Sequence, residues 1–574
     1  MEELRDKIID SYKNGELLLT ISNEFRKERN TLVEELSKLH NCRNIDIIDT
    51  FLVLTMEEKK FDFFSMRGIF EQCLPKLHAP VELTMKCVKH LVEEAGDDGA
   101  AQFILESYSE FCKVDIRRTK ETIQIIDNFP ETWCDFLVPS ILAGATLNLS
   151  HFVKTGIKYT KHKNPHLRQR ATFALGRFNY DEKKELVGDV FEALTFIVKN
   201  EKQDEVIANT LKPLLNLYFI DNDLEDKVVE LFSIALAKQK QTIQYEASFI
   251  FAIQTTKIPT SLLEILINSL KFTDASLKGI LRNIDQGIKN LIKANKADKA
   301  IPLLEHLMVN NPGHVSIESF ERTSREIYRN QPLLNEVITK WFLSRNIFLC
   351  RATMDILRLN HENGIALSVD IKLFDVNDVE TATYLARKAI GWLYTRPVSC
   401  VSLILSLLES MSSGSEEIQY LLFNPMLISY PGKLLDYFNN EKDESTKKVQ
   451  NIIDTILKNW EIYLDGIKTS DVLPELKSSE YQKEIYSRNM SQEMSEFFKE
   501  SEKNSFVYKY FSTQTLLYGC KSISYTEDSK KKAHRKEFPL QKIEHSMEFP
   551  RLEKLDPNGL DYNLRIFRIE NLKT

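Results

Sequence analysis

Residues 164–178 read NPHLRQRATFALGRF, and this stretch decides the fold. Leu167, Ala171 and Leu175 recur every four residues, the spacing that places side chains on one face of an α-helix. A small residue therefore lies between two large ones at the centre of the apolar face. The same stretch carries three arginines and no acid. Helix packing does not require these arginines, so they are the best functional clue in the sequence.

The pattern recurs at a nearly constant interval. Two later segments, VIANTLKPLLNL and IQYEASFIFAI, align with the first after steps of 39 and 37 residues. The aligned triplets are Leu167, Ala171 and Leu175, then Val206, Thr210 and Leu214, then Ile243, Ala247 and Phe251. A weaker fourth copy begins at Leu277, and RATMDILRL at 351–359 echoes the opening stretch. A period of this length indicates stacked helix pairs, in which the small residue lets neighbouring repeats approach closely.

On this period and this central small residue, the chain resembles the HEAT-repeat family of α-solenoids. The resemblance is clearest over about 150–290. The family pattern has Val-Arg before the central alanine, and Leu167-Arg168 is similar to it, whereas Val206-Ile207 and Ile243-Gln244 depart from it. The resemblance implies an all-α solenoid of antiparallel helix pairs, and it implies no particular function.

Composition supports a helical chain that is too long for one small core. Its 574 residues include only 18 glycines and 17 prolines, so turns are few. We predict an N-terminal helical region over 1–150, HEAT-like repeats over 151–470, a polar helical linker over 471–504 and a basic C-terminal segment over 505–574. The C-terminal segment is rich in β-branched and aromatic residues, and we expect it to be extended or partly β, with a strand at LRIFRIE (564–570).

Charge is distributed unevenly along the chain. The segment 505–574 has thirteen Lys and Arg against nine Asp and Glu, a charge of +4. The whole chain has a net charge of −7, so the residues before this segment carry −11. We expect the basic segment to dock on the acidic body. No apolar run reaches the length of a membrane span, so we expect a cytoplasmic protein without a membrane partner.

The first candidate site is a basic patch. No acid occurs from Phe136 through Tyr180. The Lys and Arg residues of this interval are Lys154, Lys158, Lys161, Lys163, Arg168, Arg170 and Arg177. At spacings of three and four, Lys154, Lys158 and Lys161 are expected to share one helix face. Such a surface could bind phosphates in a salt-sensitive way, or it could be a solvated face paired with acids of other repeats.

A secondary basic cluster lies in KKKAHRK, at Lys530, Lys531, Lys532, Arg535 and Lys536. It is typical of a loop that binds an acidic partner or of a localisation signal. We favour a third explanation, the docking of a basic tail on an acidic body.

The sequence offers no catalytic residues, no metal ligands and no cofactor motif. The glycine-rich phosphate loops, the zinc-protease motif and the nucleophile elbow are all missing from it. The lone Cys87-Val88-Lys89-His90 lacks a second ligand pair. We therefore expect no cofactor and no small-molecule substrate, and an enzyme is the less favoured class.

Two binding functions remain open from the sequence, beside the third possibility of an enzyme whose catalytic residues the sequence does not reveal. The leading hypothesis is a non-enzymatic scaffold that holds a protein partner on the concave face of the repeat array, which predicts an apolar or aromatic stripe there with the basic residues dispersed. The alternative is a nucleic-acid-binding protein, of the kind used in bacterial genome maintenance or defence. It predicts that Lys154, Lys158, Lys161, Arg168 and Arg170 form one exposed positive surface.

Overall fold

The computed structural model describes most of the chain. The described residues are 2–25, 29–57, 60–96, 102–359, 364–413, 415–470, 472–473, 479–504, 516–518, 521–527, 533–539 and 548–572. They divide into two compact units, Met1–Ile327 and Tyr328–Thr574. This division falls inside the interval predicted as one repeat array, and the boundaries predicted at 150, 470 and 504 stay predictions.

Unit 1 is built from helices joined by short turns. They are α1 (Glu2–Lys13), α2 (Leu17–Phe25), α3 (Arg29–Asn41), α4 (Ile47–Leu52), α5 (Phe63–Cys73), α6 (Val81–Ala95), α7 (Gln102–Lys113), α8 (Ile116–Asn128), α9 (Pro130–Trp133), α10 (Leu137–Leu147), α11 (Leu149–Tyr159), α12 (Pro165–Leu175), α13 (Leu186–Asn200), α14 (Asp204–Ile220), α15 (Glu225–Leu236), α16 (Gln241–Gln254), α17 (Thr260–Leu270), α18 (Lys278–Lys293) and α19 (Ala297–Asn310). The division between the units falls within α20 (Glu321–Arg329).

The helices of unit 1 stack in two layers. One layer, called here the α12 layer, runs α3, α5, α7, α10, α12, α14, α16 and α18, and each helix contacts the next. The other, the α11 layer, contains α11, α13, α15 and α17, again in successive contact. Helices adjacent in sequence, such as α11 with α12 and α13 with α14, join the layers. This is the stacking of an all-α solenoid, so the predicted fold class is confirmed.

The aligned triplets form the core of the α12 layer. Leu167, Ala171 and Leu175 on α12 are fully buried, and so are the matching positions on α14 and α16. The start of α12 is fixed locally, because the Asn164 side chain accepts hydrogen bonds from the N–H groups of His166 and Leu167. Pro165 then occupies the first helical position, where its missing N–H costs nothing.

Small residues set the distance between neighbouring helices of this layer. A Cβ at Gly176, just after α12, would lie 2.6 Å from the Cα of Pro213 on α14. On α18, a Cβ at Gly287 would overlap the buried Phe251 ring of α16. The backbone therefore approaches its neighbour at places where any larger side chain would push the helices apart.

Unit 2 continues the helical pattern and adds a small sheet. Its helices are α21 (Gln331–Leu343), α22 (Ile347–Leu359), α23 (Val379–Leu393), α24 (Pro397–Ser410), α25 (Glu416–Leu421), α26 (Pro431–Glu444), α27 (Lys447–Ser470), α28 (Glu480–Asn504), α29 (Leu552–Leu555) and α30 (Pro557–Ile569). Helices α21, α23, α25 and α27 contact one another in succession, and α24 contacts α26. Three antiparallel strands, β1 (Leu516–Tyr518), β2 (Lys521–Glu527) and β3 (Ala533–Pro539), follow in the order β1-β2-β3. Ile523 of β2 pairs with Leu516 and with Glu537.

The partly β character predicted for the C-terminal segment is confirmed by this sheet, but the strand predicted at 564–570 is wrong. Those residues belong to α30. The helix begins after Asp556, whose side chain accepts a hydrogen bond from the N–H of Gly559, and Pro557 is its first residue. Its buried residues, Leu560 and Leu564, lie four apart, which is a helical spacing. The apolar residues later in the segment alternate with polar ones, and this alternation suggested a strand instead.

The C-terminal residues dock on the helices of unit 2. The Glu548 carboxylate accepts hydrogen bonds from the N–H groups of Gly432 and Lys433, in the first turn of α26. Helix α30 packs along α23, where the Arg387 side chain binds the Glu570 carboxylate at 2.8 Å. The end of the chain is thereby held at two separate points of the same unit.

The cysteines of the described residues are free thiols. Cys73, Cys87, Cys112, Cys350 and Cys400 are buried. Burial raises the pKa of the Cys73 thiol to about 12 and that of the Cys112 thiol to about 11. These thiols are packing residues that stay protonated at neutral pH.

Replacing Gly287 with alanine tests the close approach of α16 and α18. We expect Gly287→Ala to lower the free energy of unfolding by about 1–3 kcal/mol, because the added methyl group has to displace the Phe251 ring. Gly279 on the same helix is the control. A Cβ there meets only Tyr245, at 3.5 Å, so Gly279→Ala is expected to be neutral or stabilising by up to about 1 kcal/mol. Urea denaturation measures the free energy of unfolding of both variants. Equal effects of the two substitutions would contradict the packing described.

Candidate partner-binding groove

A groove with a volume of about 810 Å³ lies on the α12 layer of unit 1. Helices α7, α10 and α12 form it, with contributions from the turn after α12 and from α14. Its apolar lining residues are Leu105, Val138, Pro139, Leu142, Ala145, Leu149, Phe173 and Phe178. Its charged lining residues are Glu106, Glu110, Lys113, Asp135, Arg170 and Arg177. The groove thus combines an apolar surface with three charges of each sign.

The cations of this groove already have partners. Arg170 forms an ion pair with Asp135, and Lys113 forms one with Glu110. The Arg177 guanidinium lies 4.1 Å from the centre of the Phe173 ring, a cation–π contact. Paired charges at the edge of an apolar surface are typical of the rim of a protein–protein interface.

The apolar character continues along the same layer. Asn209 of α14 lines the groove, and Lys212, one turn farther along α14, lies 5.5 Å from the Phe249 ring of α16. Two further side chains of α16, Tyr245 and Ile253, are 51% and 53% exposed. Aromatic and aliphatic side chains with single cations beside them therefore extend from α12 to α16.

The structure divides the predicted basic patch. Arg170 and Arg177 line the groove just described, whereas Lys161, Lys163 and Arg168 line a second groove of about 540 Å³. Helix α11 ends at Tyr159. Only Lys154 and Lys158 lie on that helix, so the shared helix face predicted for three lysines is wrong.

Arg168 joins two repeats. Its guanidinium binds both oxygens of the Glu201 carboxylate, at 2.6 and 3.0 Å, and also donates to the backbone oxygens of His162 and Lys163. The same Glu201 carboxylate accepts hydrogen bonds from the N–H groups of Lys202 and Gln203. Burial alone would raise the pKa of Glu201, but these hydrogen bonds outweigh burial and lower it.

The other lysines of the patch are more exposed. Lys158 lies 3.5 Å from the Asp127 carboxylate, which also accepts a hydrogen bond from the Tyr159 hydroxyl. Lys161 lies 5.9 Å from the centre of the exposed Phe196 ring. Lys154 and Lys163 are exposed, and neither forms an ion pair with another residue in the described part of the chain.

The secondary basic cluster is described only in part. Lys530, Lys531 and Lys532 lie outside the described residues. Arg535 and Lys536 belong to β3, and Arg535 forms an ion pair with Glu537 on the same strand.

Sequence reasoning missed the acidic and apolar half of the groove. Leu105, Glu106, Ser109 and Glu110 line it from α7. Their spacing of one, three and four residues places them on one face of that helix, and this pattern was visible in the sequence. The packing of α7 beside α10, and of α10 beside α12, could not be predicted from the sequence, because α7 and α12 lie about 60 residues apart.

Comparisons with known proteins give no family. No family model and no curated protein matches the chain. Among solved structures, an engineered protein matches at 13% identity and a TM-score of 0.21, over 77% of this chain and 98% of its own. A circular tandem repeat protein with a novel repeat topology matches at 12% identity and a TM-score of 0.15, over 82% and 100%. Similarity at this level supports no assignment.

The described residues contain no group of three or more His, Cys, Asp or Glu side chains placed to hold a metal ion. None of their helices combines the length and the apolar character that a membrane crossing requires.

Removing the Arg168 guanidinium tests its role between repeats. We expect Arg168→Gln to lower the free energy of unfolding by about 1.5–3 kcal/mol at neutral pH, since hydrogen bonds to a charged group are lost. The lowered pKa of Glu201 sets the pH dependence. The pair stabilises the fold while Glu201 is ionised, so the difference from the wild type is expected to shrink as pH falls through that pKa.

Thermal denaturation from neutral to acidic pH measures this difference. The exposed Lys154 provides the control, and Lys154→Gln is expected to change stability by less than about 0.5 kcal/mol. An Arg168→Gln protein as stable as the wild type at neutral pH would show that Arg168 is not a structural residue.

Proposed function

We propose that the protein is a non-enzymatic scaffold of HEAT-like repeats and that the groove formed by α7, α10 and α12 holds a segment of a protein partner. The observation that carries the proposal is the apolar surface of the groove, flanked by the ion pairs Arg170–Asp135 and Lys113–Glu110. Such a surface gains free energy when an apolar side chain covers it, and the paired rim charges do not have to give up their partners. The apolar lining, which includes Phe173 and Leu142, suits an aromatic or aliphatic anchor.

The form of the partner segment is suggested by unit 2. There the chain's own helix α30 packs against the repeat helix α23, with Phe567 and Arg568 against Gly391, and the Glu570–Arg387 pair lies at its end. A helix of a repeat layer can therefore accept an amphipathic helix laid along it. We infer that the groove of unit 1 takes an amphipathic helix with charges of both signs beside its apolar stripe.

Nucleic-acid binding is the second candidate. The observation in its favour is the second groove, where Lys161 and Lys163 accompany the exposed Phe196 ring. Cations beside an exposed aromatic ring can hold a phosphate and stack a base. Against it, Arg168, Arg170 and Lys158 are each engaged with a carboxylate of the chain, so much of the positive charge counted in the sequence is neutralised.

A display library of amphipathic helical peptides, selected on the full-length protein, tests the scaffold proposal. We expect the selected peptides to bind Phe173→Ala at least about tenfold more weakly, because the variant removes an aromatic ring from the apolar lining of the groove. Phe196→Ala is the matched control, since Phe196 is an exposed phenylalanine of the α11 layer. Peptides that bind both variants equally well would place the binding surface elsewhere and contradict the proposal.

Fluorescence anisotropy with duplex DNA, single-stranded DNA and RNA across a salt series tests the second candidate. The scaffold proposal predicts no saturable binding near physiological salt. Tight binding that weakens steeply with salt, and that is lost when Lys161 and Lys163 are changed to Glu, would instead establish a nucleic-acid protein.

A further inference from the structure

A small cationic pocket lies in unit 2, where three elements meet. The start of α22, the middle of α23 and the end of α30 enclose a volume of about 330 Å³. Three cations line it, Arg345, Lys388 and Arg568, together with Cys350 and Asn571. Among the described residues, no carboxylate side chain belongs to this lining. The pocket is therefore positively charged, unlike the balanced groove of unit 1.

Lys388 is the buried member of this cluster. Its side chain is part of a residue only 2% exposed, and its Nζ donates to the backbone oxygen of Arg568 at 2.6 Å. The Tyr384 ring lies 5.2 Å from the same Nζ. An ammonium group has three N–H donors, and a carbonyl oxygen carries no full charge to offset its burial. Burial accordingly lowers the pKa of Lys388.

One acid acts on the cluster without lining the pocket. Glu570 influences Lys388 electrostatically. One oxygen of its carboxylate is bound by Arg387 at 2.8 Å, and the other, Oε2, is buried without a hydrogen-bond partner among the described residues. The two arginines of the pocket are differently placed. Arg568 donates through Nε to the backbone oxygen of Gly391, whereas the exposed Arg345 forms no ion pair with any residue of the described chain. The charge of the Arg345 guanidinium is therefore available to bind an anion.

A buried hydroxyl beside this cluster also lacks a partner. Tyr384 is 2% exposed, and its Oη has no hydrogen-bond partner among the described residues. Arg345 and Cys350, which both line the pocket, act electrostatically on this hydroxyl, and so does the Glu570 carboxylate. Buried hydroxyls without a partner are uncommon in folded proteins, and this one lies beside the pocket although Tyr384 does not itself line it.

We propose that this pocket binds a phosphate-like dianion, either inorganic phosphate or a small phosphate monoester, through Arg345, Lys388 and Arg568. A doubly charged tetrahedral anion has enough acceptor oxygens for a guanidinium fork and an ammonium group together. The pocket volume of about 330 Å³ excludes large ligands. Because Arg568 and Asn571 come from the C-terminal end of the chain, the bound anion also fastens α30 to α22 and α23.

Calorimetric titration of the full-length protein tests the site. The probes are inorganic phosphate and glycerol phosphate, with chloride at matched ionic strength as the reference. We expect saturable binding of a phosphate probe, one equivalent per chain, and at least about a tenfold loss of affinity in Arg345→Gln. Arg345 is exposed, so this variant is expected to fold. Arg351→Gln, on the outer face of the same helix α22, is the control and is expected to bind like the wild type.

Hydrogen exchange provides a second readout of the same site. Phosphate is expected to slow amide exchange in α30 of the wild type and not in Arg345→Gln, since the anion links that helix to its neighbours. Tighter binding of glycerol phosphate than of phosphate would identify a monoester site, and the reverse order a site for the free anion. No saturable binding of either probe, or equal binding by Arg345→Gln, would overturn the proposal.

Discussion

The close approach of the α12-layer helices is the constraint on which unit 1 depends. Ala171 and Ala247 lie fully buried at the centres of α12 and α16, and Gly287 faces the Phe251 ring. Small residues at these contacts let each helix touch both its neighbours in the layer. Dispersion contacts between closely packed helices are individually weak and collectively large, so the stacking gains stability from every repeat.

This stacking brings residues one repeat apart into contact, so polar side chains form hydrogen bonds and ion pairs with the neighbouring repeat. Arg168 and Glu201 are 33 residues apart, Arg170 and Asp135 are 35, and Asn216 reaches the Gly176 oxygen across 40. Arg168 and Arg170, which look unopposed in the sequence, are thus opposed by acids of the following and the preceding repeat. The apolar surface around Phe173 remains open on the α12 layer, and it is the basis of the proposed protein partner.

The sequence predicted the parts of the fold that depend on local spacing. The triplets around Ala171, Thr210 and Ala247 gave the repeat, because a buried helix face repeats every three to four residues. The pairing of Arg168 with Glu201 could not be predicted from the sequence, because it depends on how neighbouring repeats pack against each other. The helix at 557–569 was missed although its Asp-Pro start was visible. Glu106 and Glu110 of the groove were missed because they lie on α7, far in sequence from α12.

Native-state hydrogen exchange of the full-length protein tests the central claim, that the α12 layer is the closely packed platform of unit 1. We predict that amides of α12, α14, α16 and α18 exchange more slowly than those of α11, α13, α15 and α17, because helices of the first set contact their layer neighbours more extensively. Slower exchange in the α11 layer, or equal exchange in both layers, would contradict the account.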